Sequence, residues 1–454
     1  MIKLWAAQAL LPSGWTRDVL VEIGADGRIA AVTPDQPATD TQTGILLPAP
    51  VNAHSHAFQR AMAGLTEARG PNPSDSFWTW RKLMFRFLDQ LTPEQTEAIA
   101  ALVQMEMLEA GYATNVEFHY LHHQPGGAPY DDLAEMATRI IAAAETTGIG
   151  LTLLPVQYQY GGCDQRALTA GQIRFGNDPD RFARLADDAR TALKSLPADA
   201  AFGIAPHSLR AVAPEAIALA PTLAQGGPVH LHLAEQIAEV EEIQAAYGHR
   251  PVEWLLSNAD LSQNWCLIHC TQMMPHETTA LAQTGAIAGL CPITESSLGD
   301  GIFDGVRWMN NAGHIALGSD SNIRISLTEE LRTLDYSQRL RDHSRAALAT
   351  PDHATGRRLY DAICAGGAHA AGRDTGQIAP GKWADLMALD AGHIDLEGQT
   401  GDTLLDCFIF AGDDHMIRDV WSAGRHMVQN GKHIHRDQIT AAYTRALKPL
   451  RDSL

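Results

Sequence analysis

The sequence predicts an α/β fold: a (β/α)8 TIM-like barrel with a small composite β-sandwich domain formed by both chain ends. From about residue 45, short apolar or β-branched segments alternate with helical segments, which is the pattern of βα units around a parallel sheet. Eight such segments occur, the number that closes a barrel. A third observation, strand-rich sequence at both ends of the chain, predicts the second domain.

The two chain ends carry the signals of paired strands. Near the amino terminus, "DVLVEIGADGRIAAV" (18–32) has two β-rich runs joined at Asp26-Gly27, a dipeptide typical of tight hairpins. Near the carboxyl terminus, segments 376–390 and 419–435 are strand-rich, and Gly-Arg and Asn-Gly supply turns. We therefore expect a composite domain from residues 1–48 and 376–440, and a catalytic barrel from residues 49–375.

Between these ends lie the eight candidate barrel strands. Each is a short apolar or β-branched run followed by a helical segment. In chain order they are 44–51, 114–120, 151–158, 201–208, 228–235, 265–270, 286–292 and 314–320.

Composition excludes several classes of partner. The net charge of −19 disfavours nucleic acid and anionic membrane surfaces, so an anionic substrate must be captured by local arginines. No run approaches the roughly 18 apolar residues needed to span a bilayer. The six cysteines form no CxxC motif, which indicates free thiols in a reducing compartment. We expect a cytoplasmic protein that binds no membrane, and we expect a homodimer.

Polar side chains gather where the predicted strands end, which is where barrel enzymes place their chemistry. Two residues apart in an extended strand, both imidazoles of an HxH pair face one side. A buried carboxylate after "IALGS" would be costly unless it were paired or bound to a metal. These residues together predict a metal site: His54, His56, His207, His232, His269 and Asp320.

Other histidines are separated by the same rule. His433 and His435 belong to the carboxyl-terminal domain, far from any barrel end, and are predicted to be solvated strand residues. His230 shares a strand face with His232 but lies deeper in the barrel. We expect none of the three to bind a metal.

Longer motifs carry a resemblance that spans nearly the whole chain. They are "NAHSHAFQRAMAGL" (52–65), "FWTWR" (77–81), "PHSLRAV" (206–212), "HLHLAE" (230–235), "LCPITESSLGDGIF" (290–303), "GSDSNIRISLTEELR" (318–332) and "APGKWADL" (379–386). Together they resemble the amidohydrolase superfamily, in its metal-dependent deaminase branch. Within it, they are similar to enzymes that hydrolyse N-formimino-L-glutamate to N-formyl-L-glutamate and ammonia in histidine degradation.

The resemblance implies roles for particular residues. His54, His56, His232 and Asp320 would hold one Zn2+ per chain, although Fe2+ or Mn2+ also suits such ligands. A second ion would need a bridging lysine at the end of strand 4, but the chain has no lysine between Lys82 and Lys194, and strand 4 ends in "PHSLR" (206–210). The expected catalytic residues are Glu235, His269 and Asp320. The expected contacts to a small anionic, amino-acid-derived substrate are Gln59, Arg81, Tyr120, His207 and Arg210.

Alternatives remain open for these residues. The alternative for Arg81 and Arg210 is an ordinary surface ion pair, and the alternative for Glu235 is a carboxylate at a helix amino terminus. The chain as a whole is also consistent with a deaminase of a purine, pyrimidine or triazine ring, or with a metal-free barrel that serves as a structural protein. Asn322-Ile323-Arg324 departs from the His-Val-Ser that the resemblance leads us to expect, which puts the substrate contacts after Asp320 in question.

Overall fold

The structure is a computed structural model that describes residues 1–67 and 77–452, without the side chains of 77–79, 81–83 and 170. Its strands are β1 Ile2–Leu11, β2 Gly14–Ile23, β3 Ile29–Thr33, β4 Gln42–Pro48, β5 Val51–Ser55, β6 Thr114–His119, β7 Gly150–Gln157, β8 Ala201–Phe202, β9 Ala205–Pro206, β10 Val229–Leu233, β11 Trp265–His269, β12 Ile287–Leu290, β13 His314–Leu317, β14 Leu386–Leu389, β15 Ile417–Ser422, β16 Arg425–Gln429 and β17 Lys432–His433.

The α-helices alternate with these strands through the middle of the chain. They are α1 Phe77–Leu88, α2 Pro93–Glu109, α3 Glu135–Thr147, α4 Pro179–Leu193, α5 Pro214–Ala224, α6 Ile237–Tyr247, α7 Pro251–Asn258, α8 Pro275–Ala282, α9 Pro292–Leu298, α10 Gly305–Asn310, α11 Leu327–Asp342, α12 Thr355–Ala371, α13 Asp402–Asp406 and α14 Arg436–Asp452. Among the described residues, no helix combines the length and apolarity needed to cross a bilayer.

The central sheet is a curled parallel sheet. Its strands follow the order β10-β11-β12-β13-β5-β6-β7-β8, and β9 pairs with β7. Single bridges from Ile204 to Val229 and from Ser208 to His232 link the two ends of the sheet. The predicted TIM-like barrel is confirmed, with its fourth strand split into β8 and β9.

The chain ends pair into a second sheet, in the order β17-β16-β15-β14-β4-β1-β2-β3. Strand β14 lies antiparallel to β4 and joins the carboxyl-terminal strands to the amino-terminal ones. Leu4, Val21, Leu46, Leu386 and Trp421 belong to a buried apolar cluster on this sheet. The small β-sandwich domain built from both chain ends is confirmed.

The predicted first barrel strand, 44–51, is wrong. Residues Gln42–Pro48 pair with β1 and β14 in the second sheet, and the first barrel strand is Val51–Ser55. Prolines at 48 and 50 separate the two strands, since proline lacks a backbone N–H for a sheet ladder. Both segments are buried runs, so periodicity alone does not tell which sheet takes which segment.

His433 is buried rather than solvated, which corrects its prediction. Its side chain is covered where β17 packs against α2, and its Nε2 lies 2.8 Å from the carbonyl oxygen of Thr147. Its backbone N–H donates to Glu109. His433 therefore fastens the second domain to the barrel helices, a role that depends on tertiary contacts.

A buried ion-pair network joins the two domains at the amino ends of the barrel strands. Arg373 contacts Asp199 at 3.3 Å and Asp385 at 3.2 Å, and Arg425 contacts Asp199 at 2.7 Å. Asp385 also accepts hydrogen bonds from the Thr375 hydroxyl and the backbone N–H of Ala423. We call Arg373, Arg425, Asp199 and Asp385 the base cluster.

Candidate metal and substrate site

A cavity opens at the carboxyl ends of the barrel strands, where the sequence predicted the chemistry. Most of the predicted site residues line it: His56, Gln59, Tyr120, His207, Arg210, His232, Glu235, His269 and Asp320. His54 lies directly beneath, fully buried. Arg81 belongs to α1, but its side chain is outside the described part of the structure.

Three imidazoles and one carboxylate converge at the bottom of this cavity. The Nε2 atoms of His54 and His232 are 3.1 Å apart. Asp320 Oδ1 lies 3.2 Å from His56 Nε2 and 3.5 Å from His54 Nε2. His54, His56 and His232 have ligand atoms close enough together to hold one metal ion.

The protonation states of these imidazoles suit metal binding. Burial lowers the pKa of His56 to about 3, and burial with neighbouring imidazoles lowers the pKa of His54 and His232 well below the ordinary value. His56 Nδ1 lies 3.1 Å from the carbonyl oxygen of Phe118, and His232 Nδ1 lies 3.0 Å from that of His207. As neutral rings that donate from Nδ1, both present an Nε2 lone pair to the centre.

Asp320 adds a carboxylate to this set. Burial raises the pKa of Asp320 to about 7, and a cation at the imidazole cluster would hold it ionised. Facing lone pairs and a buried carboxylate repel one another unless a cation lies between them. The residues present therefore fit a divalent cation with nitrogen and oxygen ligands.

Backbone pairing brings the ligand-bearing segments together. Asp320 N–H donates to the His54 carbonyl, and His56 N–H donates to the Asp320 carbonyl, each at 2.9 Å. Asp320 takes a left-handed φ of 48° to make this crossing. Gly318 is required here, because a Cβ at this position would lie 2.6 Å from the backbone nitrogen of His54. The Gly-Ser-Asp motif is thus explained by close packing against the HxH strand.

His269 lies among carboxylates on the other side of Asp320. Its Nε2 is 3.9 Å from both Glu235 Oε1 and Asp320 Oδ2, and its Nδ1 is 3.3 Å from Glu295 Oε1. Burial lowers the pKa of His269, but Glu235, Glu295 and Asp320 together raise it to about 10. His269 is therefore a hydrogen-bond donor toward the cavity in the absence of a bound cation.

Glu295 is a site residue that sequence reasoning missed. With His269 and Cys291 it forms a second group with metal-type ligand spacing. However, Glu295 Oε1 already accepts the Cys291 N–H at 2.8 Å and faces His269 Nδ1, so the group is engaged in orienting His269. The only sequence signal was its place in "PITES", just after a barrel strand.

Four of the predicted substrate residues line the same cavity: Gln59, Tyr120, His207 and Arg210. Gln59 Nε2 donates to the Tyr120 hydroxyl at 2.8 Å. Arg210 is only 7% exposed, which excludes the surface ion-pair interpretation for this residue. Burial lowers its pKa, but Tyr158 and nearby glutamates raise it above the ordinary value, so Arg210 stays charged. Aromatic neighbours that the sequence did not single out complete the wall: Trp80, Tyr158 and Phe175.

The departure at residues 322–324 does not touch the cavity. Asn322 is fully buried and donates to the Ser55 hydroxyl at 3.2 Å, with a left-handed φ of 54° that asparagine tolerates. Ile323 and Arg324 line surface clefts instead, and Arg324 pairs with Glu329. Asn322 therefore supports the backbone below the site, and none of the three residues lines the cavity.

Comparisons with known proteins agree with this geometry. Residues 45–427 match the amidohydrolase family, and residues 1–41 match the N-terminal domain of formimidoylglutamate deiminase HutF. The chain is 46% identical over 458 residues to formimidoylglutamate deiminase of Pseudomonas aeruginosa, covering 100% of both chains. It is 29% identical over 419 residues to 8-oxoguanine deaminase of the same organism, covering 87% of this chain and 88% of that one.

A solved structure gives the same picture for the fold. The crystal structure of an amidohydrolase from Brucella melitensis superposes with a TM-score of 0.94 at 45% sequence identity. The match covers 99% of this chain and 100% of that one. Barrel and second domain are therefore shared across the whole length.

Proposed function

This chain belongs to the amidohydrolase family and, within it, to the formimidoylglutamate deiminases, and we propose that it hydrolyses N-formimino-L-glutamate to N-formyl-L-glutamate and ammonia in histidine degradation. Family membership rests on the two family matches and on 46% identity to the Pseudomonas aeruginosa enzyme. The observation that carries the substrate is a buried, charged Arg210 in the same cavity as the imidazole cluster.

The proposed cofactor is one zinc ion per chain, held by His54, His56, His232 and Asp320. The convergence of their nitrogen and oxygen atoms supports this set, and Fe2+ or Mn2+ would suit the same ligands. When bound, such an ion supplies Lewis-acid activation of a water molecule at neutral pH.

The protein's own residues would then move the protons. Asp320 accepts a proton from the attacking water, and the His269 Nε2–H donates a hydrogen bond to the oxygen that adds to the formimino carbon. Glu235 delivers a proton to the nitrogen that departs as ammonia. His269 Nε2 lies 3.9 Å from both Glu235 and Asp320, which supports a shared role at one reaction centre. Catalytic hydrogen bonds are often this long in a free enzyme and shorten when substrate binds.

We assign the substrate carboxylates to Arg210 and the polar side chains near it in the cavity. Arg210 matches a carboxylate bidentately, and Arg81, Tyr120, Gln59 and His207 are the proposed further contacts. Gln59 supports a contact to substrate because its buried Oε1 has no partner among the described residues and can accept a hydrogen bond from a substrate N–H. We further propose that the protein is cytoplasmic and forms a homodimer. Light scattering of the purified protein measures its molar mass and so tests the homodimer.

A deaminase of a purine, pyrimidine or triazine ring is the second candidate, favoured by the 29% identity to 8-oxoguanine deaminase. The test is ammonia release from N-formimino-L-glutamate, 8-oxoguanine, adenosine and cytosine at equal concentration. We expect N-formimino-L-glutamate to give the highest kcat/KM. A ring substrate that outperforms it would replace the proposed function with the second candidate.

A further inference from the structure

The turn that presents Glu235 to the cavity has an unusual backbone. It connects β10 to α6 through Ala234 and Glu235. Ala234 has a left-handed φ of 53°, a conformation that its Cβ disfavours. Such a backbone persists only where its surroundings hold it. The contacts around Ala234 therefore show what fixes the position of Glu235.

Glu239 holds the two N–H groups of this turn. Its Oε1 accepts the Ala234 N–H at 3.3 Å, and its Oε2 accepts the Glu235 N–H at 2.9 Å. Glu239 is 6% exposed and lines the same cavity as Glu235. Both carboxylate oxygens are thus used on two successive backbone donors.

The opposite side of the turn is held by its carbonyl groups. The Thr271 hydroxyl lies 2.8 Å from the Glu235 carbonyl oxygen and 3.3 Å from that of Ala234. The Gln272 N–H donates to the Ala234 carbonyl at 2.8 Å. The turn is therefore fixed from both sides. On the Glu239 side, two N–H groups are each bound by a separate carboxylate oxygen, whereas a glutamine amide offers only one acceptor oxygen.

We propose that Glu239 is a positioning residue for the proposed proton shuttle, and that its carboxylate sets where Glu235 stands in the cavity. This inference rests on the proposed function. Arg210 lies close enough to lower the pKa of Glu239, although burial and Glu235 together raise that pKa to about 7. Arg210 thus supports the charge that the turn requires in addition to its proposed contact with substrate.

The test compares Glu239→Gln with Glu242→Gln. Glu242 lies one turn further along α6, and its carboxylate contacts the Cys163 N–H and Arg166 rather than the Glu235 turn. We expect Glu239→Gln to lower kcat on the order of 100-fold, the cost of a misplaced catalytic group, with KM unchanged or lower and metal content unchanged. Glu242→Gln should keep kcat within about twofold.

A double variant separates positioning from a merely structural role. If Glu239 acts through Glu235, adding Glu239→Gln to Glu235→Gln should lower the residual kcat by less than about twofold. An equal fall in both backgrounds, or a Glu239→Gln enzyme with normal kcat, would overturn the inference.

Two further measurements keep the inference open to refutation. Should Glu239→Gln fail to fold, Thr271→Val loosens the same turn from its carbonyl side and should lower kcat without changing KM. A normal kcat in Thr271→Val would then count against the inference. Wild-type protein that releases no ammonia from N-formimino-L-glutamate would instead refute the proposed function, which the wild-type assay detects before any variant is made.

Discussion

Two buried clusters of charged side chains lie at opposite ends of the barrel, and they are built differently. In the base cluster, two arginines face two aspartates, with each aspartate bound at 2.7–3.3 Å by arginine or backbone donors. At the carboxyl ends of the strands, carboxylates surround His269 in what we call the mouth cluster. Its members are Glu235, Glu295, Asp300 and Asp320, together with His269 itself.

The pKa values show the consequence of this difference. In the base cluster, burial opposes ionisation of Asp199, but Arg425 and Arg373 hold its pKa below the ordinary value. In the mouth cluster, burial and neighbouring carboxylates raise the pKa of Asp300 to about 9. Balanced charges stabilise the fold, whereas surplus buried carboxylate is tolerated where a bound cation supplies the missing positive charge.

The largest expected effect comes from removing a proposed ligand in the mouth cluster. Asp320→Ala should lose the bound metal and reduce ammonia release below detection, because no other described carboxylate lies within 4 Å of both His54 Nε2 and His56 Nε2. Elemental analysis and the ammonia assay measure the two losses. Retention of metal and activity together would remove Asp320 from the ligand set.

Glu235→Gln should separate metal binding from proton transfer. We expect the metal to stay bound and kcat to fall by about 10²–10⁴, the usual contribution of a general acid or base. Single-turnover ammonia release, with metal content determined on the same sample, measures both. A near-normal kcat would restore the interpretation of Glu235 as a helix-terminal carboxylate.

Arg373→Met in the base cluster should show the opposite pattern. It leaves a buried aspartate short of a partner, so the free energy of unfolding should fall by about 3–5 kcal/mol, with kcat per folded molecule unchanged. Urea unfolding measures the loss. Arg307→Met is the control, since its pair with Asp304 is partly exposed and is worth about 0–1 kcal/mol.

The sign of the pH effect at the base cluster follows from Asp199. Its folded pKa lies below the unfolded value of about 3.9, so its stabilising contribution is present above that pH and is lost as the pH falls through the folded pKa. The difference between wild type and Arg373→Met should therefore shrink in strong acid. A difference that grows on acidification would contradict the assignment of this network.

Arg210→Met tests whether Arg210, in the same cavity as the mouth cluster, binds a substrate carboxylate. Removing one partner of a desolvated charge pair should cost about 2–5 kcal/mol in kcat/KM for N-formimino-L-glutamate. Metal content should not change, because Arg210 is outside the proposed ligand set. If kcat/KM is unaffected, other residues of the cavity bind the substrate carboxylates.

The smallest effect is expected at the surface next to the mouth cluster. Arg324→Ser should change kcat and KM by less than about twofold, because Arg324 lies outside the cavity and pairs with Glu329. Steady-state kinetics with N-formimino-L-glutamate measure it. A large rise in KM would mean that the segment after Asp320 reaches the substrate.

The barrel, the second domain and the residues around the mouth cluster were predictable because each leaves a local signal. Buried parallel strands appear in the sequence as apolar runs, and the candidate ligands at strand ends follow these runs directly, as His232 and Asp320 do. The sheet to which Gln42–Pro48 belongs was not predictable from the sequence. Gln42–Pro48 and the neighbouring strand Val51–Ser55 are both buried runs, so their patterns do not tell which of them joins the barrel and which joins the second sheet.

Residues that act through other residues were also missed. Glu239 and Glu295 lie in short helices and look like ordinary polar positions in the sequence. Their roles depend on backbone N–H groups and a ring nitrogen that folding brings to them. Likewise, the burial of His433 depends on where α2 passes over β17. Such contacts have no sequence period to reveal them.

The central claim is that His54, His56 and His232, together with Asp320 of the mouth cluster, hold one divalent cation that balances the surplus carboxylate. Elemental analysis of dialysed wild-type protein tests this most directly. We predict about one equivalent of metal per chain, since a single set of imidazole and carboxylate ligands converges. Two retained equivalents would mean that His269, Cys291 and Glu295 also bind a metal, and no retained metal in protein that still releases ammonia would contradict the claim.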